Sequence, residues 1–221
     1  MPGGEKAIRE PWRIAASLLK TAYGQSWKEI ARQLNLIPDK VQLDLFDKII
    51  EGRIHSPLSS GLGRLFDGVA ALIGLRHAVN FEGQAAMELE ALATGLTESP
   101  YPFELLRHSG HPSILDVSAT VRAVVADLAS GQNKAKIAAS FHQMIIEAFA
   151  AMTEEIRKAM GLTRVALSGG CFQNKILLEG TIKKLRHSGF DVYHPRQVPA
   201  NDGGVCLGQA VIAASMVKKG Y

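Results

Sequence analysis

The sequence predicts a helix-rich α/β protein with a small mixed sheet and a β-α-β-α unit at its C-terminal end. Apolar residues recur at helical spacing through roughly the first hundred residues. Short strand-like runs flank a turn near the middle of the chain, and the last part alternates between apolar strands and helices. A pair of glycines follows each of these last strands, at the position where α/β sheets bind ligands.

Length and composition fit one full-sized domain or two small lobes. The chain has 221 residues, of which 47% are hydrophobic, enough for a buried core. We find no apolar run long enough to span a membrane and no leader sequence, so we expect a soluble, cytoplasmic protein. The net charge is +4, and most of the basic residues are interleaved with acidic ones along the chain, so no nucleic-acid partner is expected.

The N-terminal sequence suggests a piece of a longer protein. Met1-Pro2-Gly3-Gly4 runs directly into a helical pattern with no strand before it. A natural start with a flexible tip is the alternative. We expect a helical segment over residues 1–57 that leads into a C-terminal lobe over residues 58–221.

Three helices are predicted in the leading segment. The first follows Pro11, which is well placed near a first turn. The second begins at Ser26, where Ser26 and Glu29 have the spacing of a capping box. The third follows Asp39.

The strongest helical pattern spans residues 61–75, where apolar residues fall at i, i+3, i+4 and i+7. Ser59 or Ser60 is expected to cap this helix. The remaining predicted elements are a helix over 83–94, a hairpin or a pair of short strands over 101–116, helices over 118–129 and 133–160, a strand over 164–167, a helix over 173–186, a strand over 191–193 and a helix over 205–217.

The first glycine turn lies between an apolar strand and a helix, with Gly169 and Gly170 at its centre. Glycines let a backbone approach a ligand closely, and the N–H groups of the following helix attract an anion. Asn174 adds a side-chain donor nearby. The turn therefore indicates phosphate binding, unless the glycines serve only the backbone angles of the turn.

Two acidic residues leave alternatives open. Asp202 precedes the last helix, so it is either an N-cap or a hard oxygen ligand to a metal near a triphosphate. Asp67 lies near the edge of the apolar face of its helix, so it is either a solvated charge or a hydrogen-bonding group for a ribose diol.

Five stretches of the sequence, taken in order, match the pattern of a known family. They are Met1-Pro2-Gly3-Gly4 with Pro11-Trp12-Arg13, Gly63-Arg64-Leu65-Phe66-Asp67, Phe81-Glu82-Gly83-Gln84-Ala85-Ala86, Ser168-Gly169-Gly170 with Phe172-Gln173-Asn174, and Asn201-Asp202-Gly203-Gly204 with Leu207-Gly208-Gln209-Ala210. These stretches resemble the HypF family of hydrogenase-maturation carbamoyltransferases, and the resemblance extends over nearly the whole chain. The chain is also similar to TsaD, the tRNA threonylcarbamoyl transferase, which shares the fold of actin-like (ribonuclease H-like) ATPases.

The resemblance implies roles for individual residues of one lobe of an actin-like ATPase fold. Asp67 would contact the ribose, and Gly83 would lie against the nucleotide. The phosphates would be bound by Gly169, Gly170 and Asn174, and Asp202 would supply a metal carboxylate. The implied ligands are ATP or carbamoyl-adenylate and a divalent metal, which is zinc, iron or magnesium. No catalytic residue is assigned.

The chain departs from the family pattern in its histidines. The family's other metal ligands come from a His-x-x-x-His motif, and none of the seven histidines here forms such a pair. His108 and His111 are three apart and flank a Gly-Pro turn, so we expect them to be loop residues. The acylphosphatase, zinc-finger and YrdC-like regions of the family have no counterpart in this sequence.

The resemblance implies transfer of a carbamoyl group from carbamoyl-adenylate to the C-terminal cysteine of HypE, for the cyanide ligand of nickel-iron hydrogenase. The partners would be HypE and the remainder of HypF. Two alternatives stay open, a TsaD-like tRNA-modifying transferase and a non-catalytic nucleotide-binding docking module. The segment Gly169-Gly170-Cys171-Phe172-Gln173-Asn174 and the absence of a basic stripe argue against the tRNA-modifying enzyme.

Overall fold

Helices dominate the structure, and all but the first, a short helix that the sequence did not predict, follow the predicted order. The structure, a computed structural model, describes residues 1–37, 40–52, 54–107, 110 and 112–218. Its helices are α1 (Lys6–Arg9), α2 (Trp12–Tyr23), α3 (Trp27–Gln33), α4 (Lys40–Glu51), α5 (Leu62–Leu72), α6 (Gln84–Ala93), α7 (Ser118–Ala129), α8 (Lys134–Met160), α9 (Lys175–His187) and α10 (Val205–Lys218). Its strands are β1 (Glu104–Leu106), β2 (Ile114–Asp116), β3 (Arg164–Ala166) and β4 (Asp191–Tyr193).

The chain divides into two compact units. Unit 1 is Met1–Ala148 and unit 2 is Phe149–Tyr221, so the division falls within α8. The boundary predicted after residue 57 lies inside unit 1 and stays a prediction. None of the helices in the described ranges combines the length and the apolar character that crossing a membrane requires.

Helix α5 forms the centre of unit 1. It contacts α2, α6 and α7, and every residue from Phe66 to Leu72 is buried. An amphipathic helix on a protein surface would bury one stripe only, so this continuous burial means that α5 is covered on several sides. The position of α5 determines the surroundings of Asp67.

Helices α2 and α5 approach each other closely at Gly68. A Cβ atom at Gly68 would lie 2.6 Å from Leu18 Cδ1 and 2.9 Å from Ile14 Cγ2. Both distances are shorter than carbon–carbon van der Waals contact, so a larger residue here would force the two helices apart.

We expect Gly68→Val to lower the free energy of unfolding by about 3 kcal/mol, because overpacking a tight helix crossing is destabilising. Gly63→Val is the matched control on the same helix, since a Cβ at Gly63 meets nothing within 4 Å. Urea denaturation of the two variants measures the difference. Equal stability of both variants would contradict the close crossing.

Unit 2 is built on a parallel pair of strands. β3 and β4 pair in parallel, with Val165 opposite Val192, and α9 crosses from one to the other. The core beneath them contains Ala150, Leu167, Leu185 and Phe190. This arrangement confirms the predicted β-α-β-α unit, and it puts the C-terminal ends of both strands at one edge.

The predicted mixed sheet is present as two separate pairs of strands. β1 and β2 form an antiparallel pair with Leu105 opposite Leu115, as the predicted hairpin requires. β3 and β4 form the parallel pair in unit 2. The predictions for Pro38, Asp39, His108 and His111 concern positions outside the described residues.

Two predicted helix caps are wrong. Ser26 has helical backbone angles at the end of the 3-10 turn Gly24–Ser26 and makes no side-chain cap bond, because an N-cap needs an extended backbone. α5 begins after Gly61, and the Ser59 hydroxyl accepts from the Gly61 N–H instead of from the first turn of the helix.

Residues Gly170–Gln173 form a 3-10 turn, so α9 begins later than predicted.

The last helix, α10, buries none of its residues. Its apolar side chains lie in contact with solvent on all sides, including Val211 at 61% exposure and Val217 at 74%. The small residues predicted to allow close packing on a neighbouring backbone therefore have no such neighbour in the described chain.

Candidate nucleotide-binding site

The first glycine turn follows β3 at the C-terminal edge of the parallel pair. Gly169 has φ +107°, a backbone conformation that requires glycine, and a Cβ there would meet nothing within 4 Å. Its N–H donates to the carbonyl oxygen of Ala200 at 2.7 Å. Gly169 is therefore open to close approach by a ligand, but its N–H is not the free phosphate donor that the sequence suggested.

The Gly170 N–H makes no hydrogen bond within the described chain, so it is a free donor at this turn. Asn174 is the N-cap of α9, and its side-chain oxygen accepts from the Leu177 N–H at 2.9 Å. This cap fixes the start of a 13-residue helix whose positive N-terminal end points toward the turn. An anion at the turn would be stabilised by both features.

The second glycine turn follows β4. The side-chain oxygen of Asn201 accepts from the Gly203 N–H at 3.1 Å, so Asn201 caps the 3-10 turn Asp202–Gly204. Asp202 is exposed, and its carboxylate makes no hydrogen bond or ion pair with any other described residue, whereas its backbone carbonyl oxygen accepts from the Val205 N–H. Because Asn201 holds the cap, capping does not account for the carboxylate of Asp202.

The two turns lie side by side. The hydrogen bond from Gly169 to Ala200 joins them, and a Cβ at Gly170 would lie 3.9 Å from the Asn201 Cβ. A Cβ at Gly204 would lie 2.7 Å from the Pro199 carbonyl oxygen, so this turn needs glycine to keep its shape. The structure therefore brings Gly169, Gly170, Asn174 and the turn that carries Asp202 together at one edge of unit 2.

Asp67 lies inside unit 1, and the interpretation as a solvated charge is wrong. It is only 3% exposed, because the neighbours of α5 cover the flank of its apolar face. Arg64, one helical turn earlier, places its Nη1 atom 3.1 Å from Asp67 Oδ2. This ion pair is enclosed: the two side chains are 15% and 4% exposed.

Burial raises the pKa of Asp67 to about 6, although the positive charge of Arg64 acts in the opposite direction. The nearby carboxylate of Glu82 raises the pKa further. Asp67 is thus ionised at neutral pH but holds its proton more tightly than a solvated aspartate. The carboxylate accepts no hydrogen bond within the described residues, so its hydrogen-bonding capacity is unused there.

Gly83 is the N-cap of α6 and has left-handed backbone angles with φ +82°. A Cβ at this position would meet nothing within 4 Å, so the backbone here is open to close approach. Glu82, the preceding residue, places Oε1 3.5 Å from Arg64 Nη2. Within unit 1, Arg64 therefore contacts both Asp67 and the residue that precedes Gly83.

The predicted site residues fall into two groups, one in each unit. Asp67 and Gly83 belong to unit 1, and the glycine turns with Asn174 and Asp202 belong to unit 2. No group of three or more His, Cys, Asp or Glu side chains that could hold a metal ion occurs among the described residues. The assignment of Asp202 as a metal ligand stays a prediction.

Comparison with known proteins identifies the family. Residues 1–209 match the family described as carbamoyltransferase, Kae1-like domain, second subdomain. The chain is 37% identical over 220 residues to the carbamoyltransferase HypF of Synechocystis, covering 94% of this chain and 28% of that protein. This chain belongs to the HypF carbamoyltransferase family.

Another HypF protein and a HypF crystal structure are also similar to this chain. HypF of Rhizobium leguminosarum is 36% identical, with 98% of this chain and 27% of that protein covered. A crystal structure of full-length HypF in a phosphate- and nucleotide-bound form superimposes with a TM-score of 0.88 at 40% identity, covering 98% of this chain and 28% of that one. The actin-like fold of the Kae1-like domain is thereby confirmed. The chain spans just over a quarter of the length of these HypF proteins.

Similarity to the tRNA-modifying relatives is weaker. The tRNA N6-adenosine threonylcarbamoyltransferase of Anaplasma marginale is 28% identical over 170 residues, covering 72% of this chain and 48% of that protein.

Three residues of the site are not identified by the sequence patterns. Arg64 precedes Asp67 by three positions, and this spacing, which places both on one helix face, is the signal that reveals it. Glu82 reaches Arg64 from another segment, so no local pattern reveals it. The sequence does not single out Asn201 as a cap, because Asp202 beside it is an equally good capping residue.

Proposed function

We propose that this HypF-family chain forms the nucleotide-binding half of a carbamoyltransferase site. In this site the carbamoyl group of carbamoyl-adenylate passes to the C-terminal cysteine of HypE, on the route to the cyanide ligand of nickel-iron hydrogenase. The observation that carries the proposal is the pair of glycine turns joined by the Gly169–Ala200 hydrogen bond at one edge of β3 and β4. The similarity to a nucleotide-bound HypF structure supports it.

The reaction needs a nucleotide held in one orientation. The cysteine sulfur attacks the carbamoyl carbon and forms a C–S bond, the C–O bond to the phosphate breaks, and AMP leaves with the electron pair while the thiol proton passes to solvent. In unit 2, the Gly170 N–H and the N-terminal end of α9 would bind phosphate oxygens. For Asp67, in unit 1, the family resemblance implies a contact with ribose hydroxyls. Fixing the leaving group in this way lowers the entropic part of the barrier.

Asp202 would be this chain's contribution to a divalent metal beside the phosphates. When bound, such a metal would neutralise phosphate charge. The remaining ligands would come from the other part of the Kae1-like domain.

The test uses a full-length HypF protein that contains this chain, with ATP, carbamoyl phosphate and HypE. We expect HypE to gain one carbamoyl group at its C-terminal cysteine, detected by mass spectrometry of its C-terminal peptide. The chain alone is expected to show no multiple turnovers, because it holds only part of the site. Threonylcarbamoylation of tRNA, or ATP binding without any transfer, would contradict the proposal.

A further inference from the structure

Arg64 lies between two carboxylates that belong to different segments of unit 1. Its Nη1 atom is 3.1 Å from Asp67 Oδ2 on α5, and its Nη2 atom is 3.5 Å from Glu82 Oε1 in the turn before α6. Glu82 directly precedes Gly83. One guanidinium therefore contacts Asp67 and the residue that directly precedes Gly83, and Asp67 and Gly83 are the two residues of unit 1 for which nucleotide contacts are predicted.

The contact with Asp67 is electrostatic and leaves hydrogen-bonding capacity unused. Arg64 Nη1 is buried, yet none of its N–H bonds finds an acceptor among the described residues, although the Asp67 oxygen is close. Asp67 in turn accepts no hydrogen bond in the described chain. Arginine usually binds a carboxylate with two parallel hydrogen bonds, so this misaligned pair holds the carboxylate by charge and leaves its oxygens free.

The three side chains differ sharply in exposure. The Asp67 and Arg64 side chains are 4% and 15% exposed, whereas that of Glu82 is 78% exposed. Packing therefore fixes Asp67 and Arg64, whereas Glu82 lies in the exposed turn before α6. Without Arg64, a buried carboxylate would have no positive charge to keep it ionised and in place.

We propose that Arg64 is a positioning residue that holds the Asp67 carboxylate toward the ribose diol of a bound nucleotide and connects it to the turn that carries Gly83. The inference rests on the proposed function, because it assumes that Asp67 contacts a ribose. It adds a specific requirement: Arg64 acts only through the ribose hydroxyls and not through the phosphates.

The test compares ATP with 2′,3′-dideoxy-ATP, which lacks the ribose diol. Nucleotide binding is measured by calorimetry on a full-length HypF protein that contains this chain. The nucleotide site of interest is the one whose affinity falls when Asp67 is replaced. The variants are Arg64→Met, Asp67→Asn and the double variant. Arg76→Met is the matched control, because Arg76 pairs with Glu88 in the same unit and has no contact with Asp67.

We expect Arg64→Met to weaken ATP binding about tenfold, the cost of one lost charge-assisted contact. Binding of the dideoxy nucleotide should stay unchanged, and the double variant should be no weaker than Asp67→Asn alone. Arg76→Met should bind both nucleotides like the unsubstituted protein. Arg64→Lys should recover part of the loss, since it restores the charge but not the guanidinium geometry.

Equal weakening of both nucleotides, additive losses in the double variant or no effect of Arg64→Met would overturn the inference. If carbamoyl transfer to HypE is intact in that case, the proposed function stands without it. If the unsubstituted protein neither transfers a carbamoyl group nor distinguishes the two nucleotides, both the proposed function and the role of Arg64 fail.

Discussion

Asp202→Asn, introduced into a full-length HypF protein that contains this chain, is expected to abolish most carbamoyl transfer to HypE while carbamoyl-adenylate still forms. Adenylate formation is a step that the family resemblance assigns to the YrdC-like region. The carboxylate of Asp202 is exposed and Asn201 already holds the cap, so the substitution removes a charge without removing a structural bond. Loss of one metal ligand should lower metal affinity by about a hundredfold or more.

Two measurements separate metal binding from structure in this variant. Metal content by elemental analysis should fall together with the transfer rate, while the melting temperature without ligands should stay nearly unchanged. Asn201→Ala is the control, because it removes the cap and should lower stability by about 1 kcal/mol without removing a carboxylate. Wild-type metal content and transfer rate in Asp202→Asn would show that Asp202 is not a metal ligand.

Asp67→Ala is expected to weaken adenosine nucleotide binding at least tenfold and also to destabilise unit 1. One or two hydrogen bonds to the ribose are worth about 1 to 3 kcal/mol together. The sequence alone, which places Asp67 at the border of an apolar face, predicts a loss of affinity with no loss of stability. In the structure the residue is buried beside Arg64, and removing one partner of an enclosed ion pair costs about 3 kcal/mol.

The pH dependence of stability provides a second measurement on the same residue. The pKa of Asp67 is about 6 in the folded chain and 3.8 as a free side chain, so the folded state binds this proton more tightly. The contribution of Asp67 to stability is therefore largest below pH 4, and it decreases as the pH rises from about 4 to about 6. Asp67→Asn keeps the volume and should remove this dependence. An unchanged pH profile would place the carboxylate in solvent.

The order and type of the elements could be predicted because they depend on local pattern. The predicted bounds of α7 and β4 agree with the structure, since each lies between clear turn residues. The cap at Ser26 was wrong because capping depends on backbone angles, and the preceding 3-10 turn sets those angles. The capping-box spacing shows which residue is able to cap a helix, but it does not determine whether that residue does so.

The site was less predictable, because its decisive contacts join distant parts of the chain. The periodicity of α5 shows which side is apolar, but the burial of Asp67 depends on how far α2, α6 and α7 extend around it. The Gly169 N–H is occupied by Ala200, which lies beyond α9 and β4. Neither the burial of Asp67 nor the Gly169–Ala200 hydrogen bond can be predicted from the local sequence pattern. The glycines of the two turns could be identified, because they follow predicted strands.

The exposure of α10 bears on how this helix becomes ordered. A helix of 14 residues is near the length at which an isolated helix in water is only marginally formed. With its apolar side chains in solvent, α10 gains no free energy from burial to offset the entropy of ordering its backbone. A surface that covered Val211 and Val217 would therefore add to the free energy of helix formation, and its net affinity would be reduced by the cost of ordering the helix.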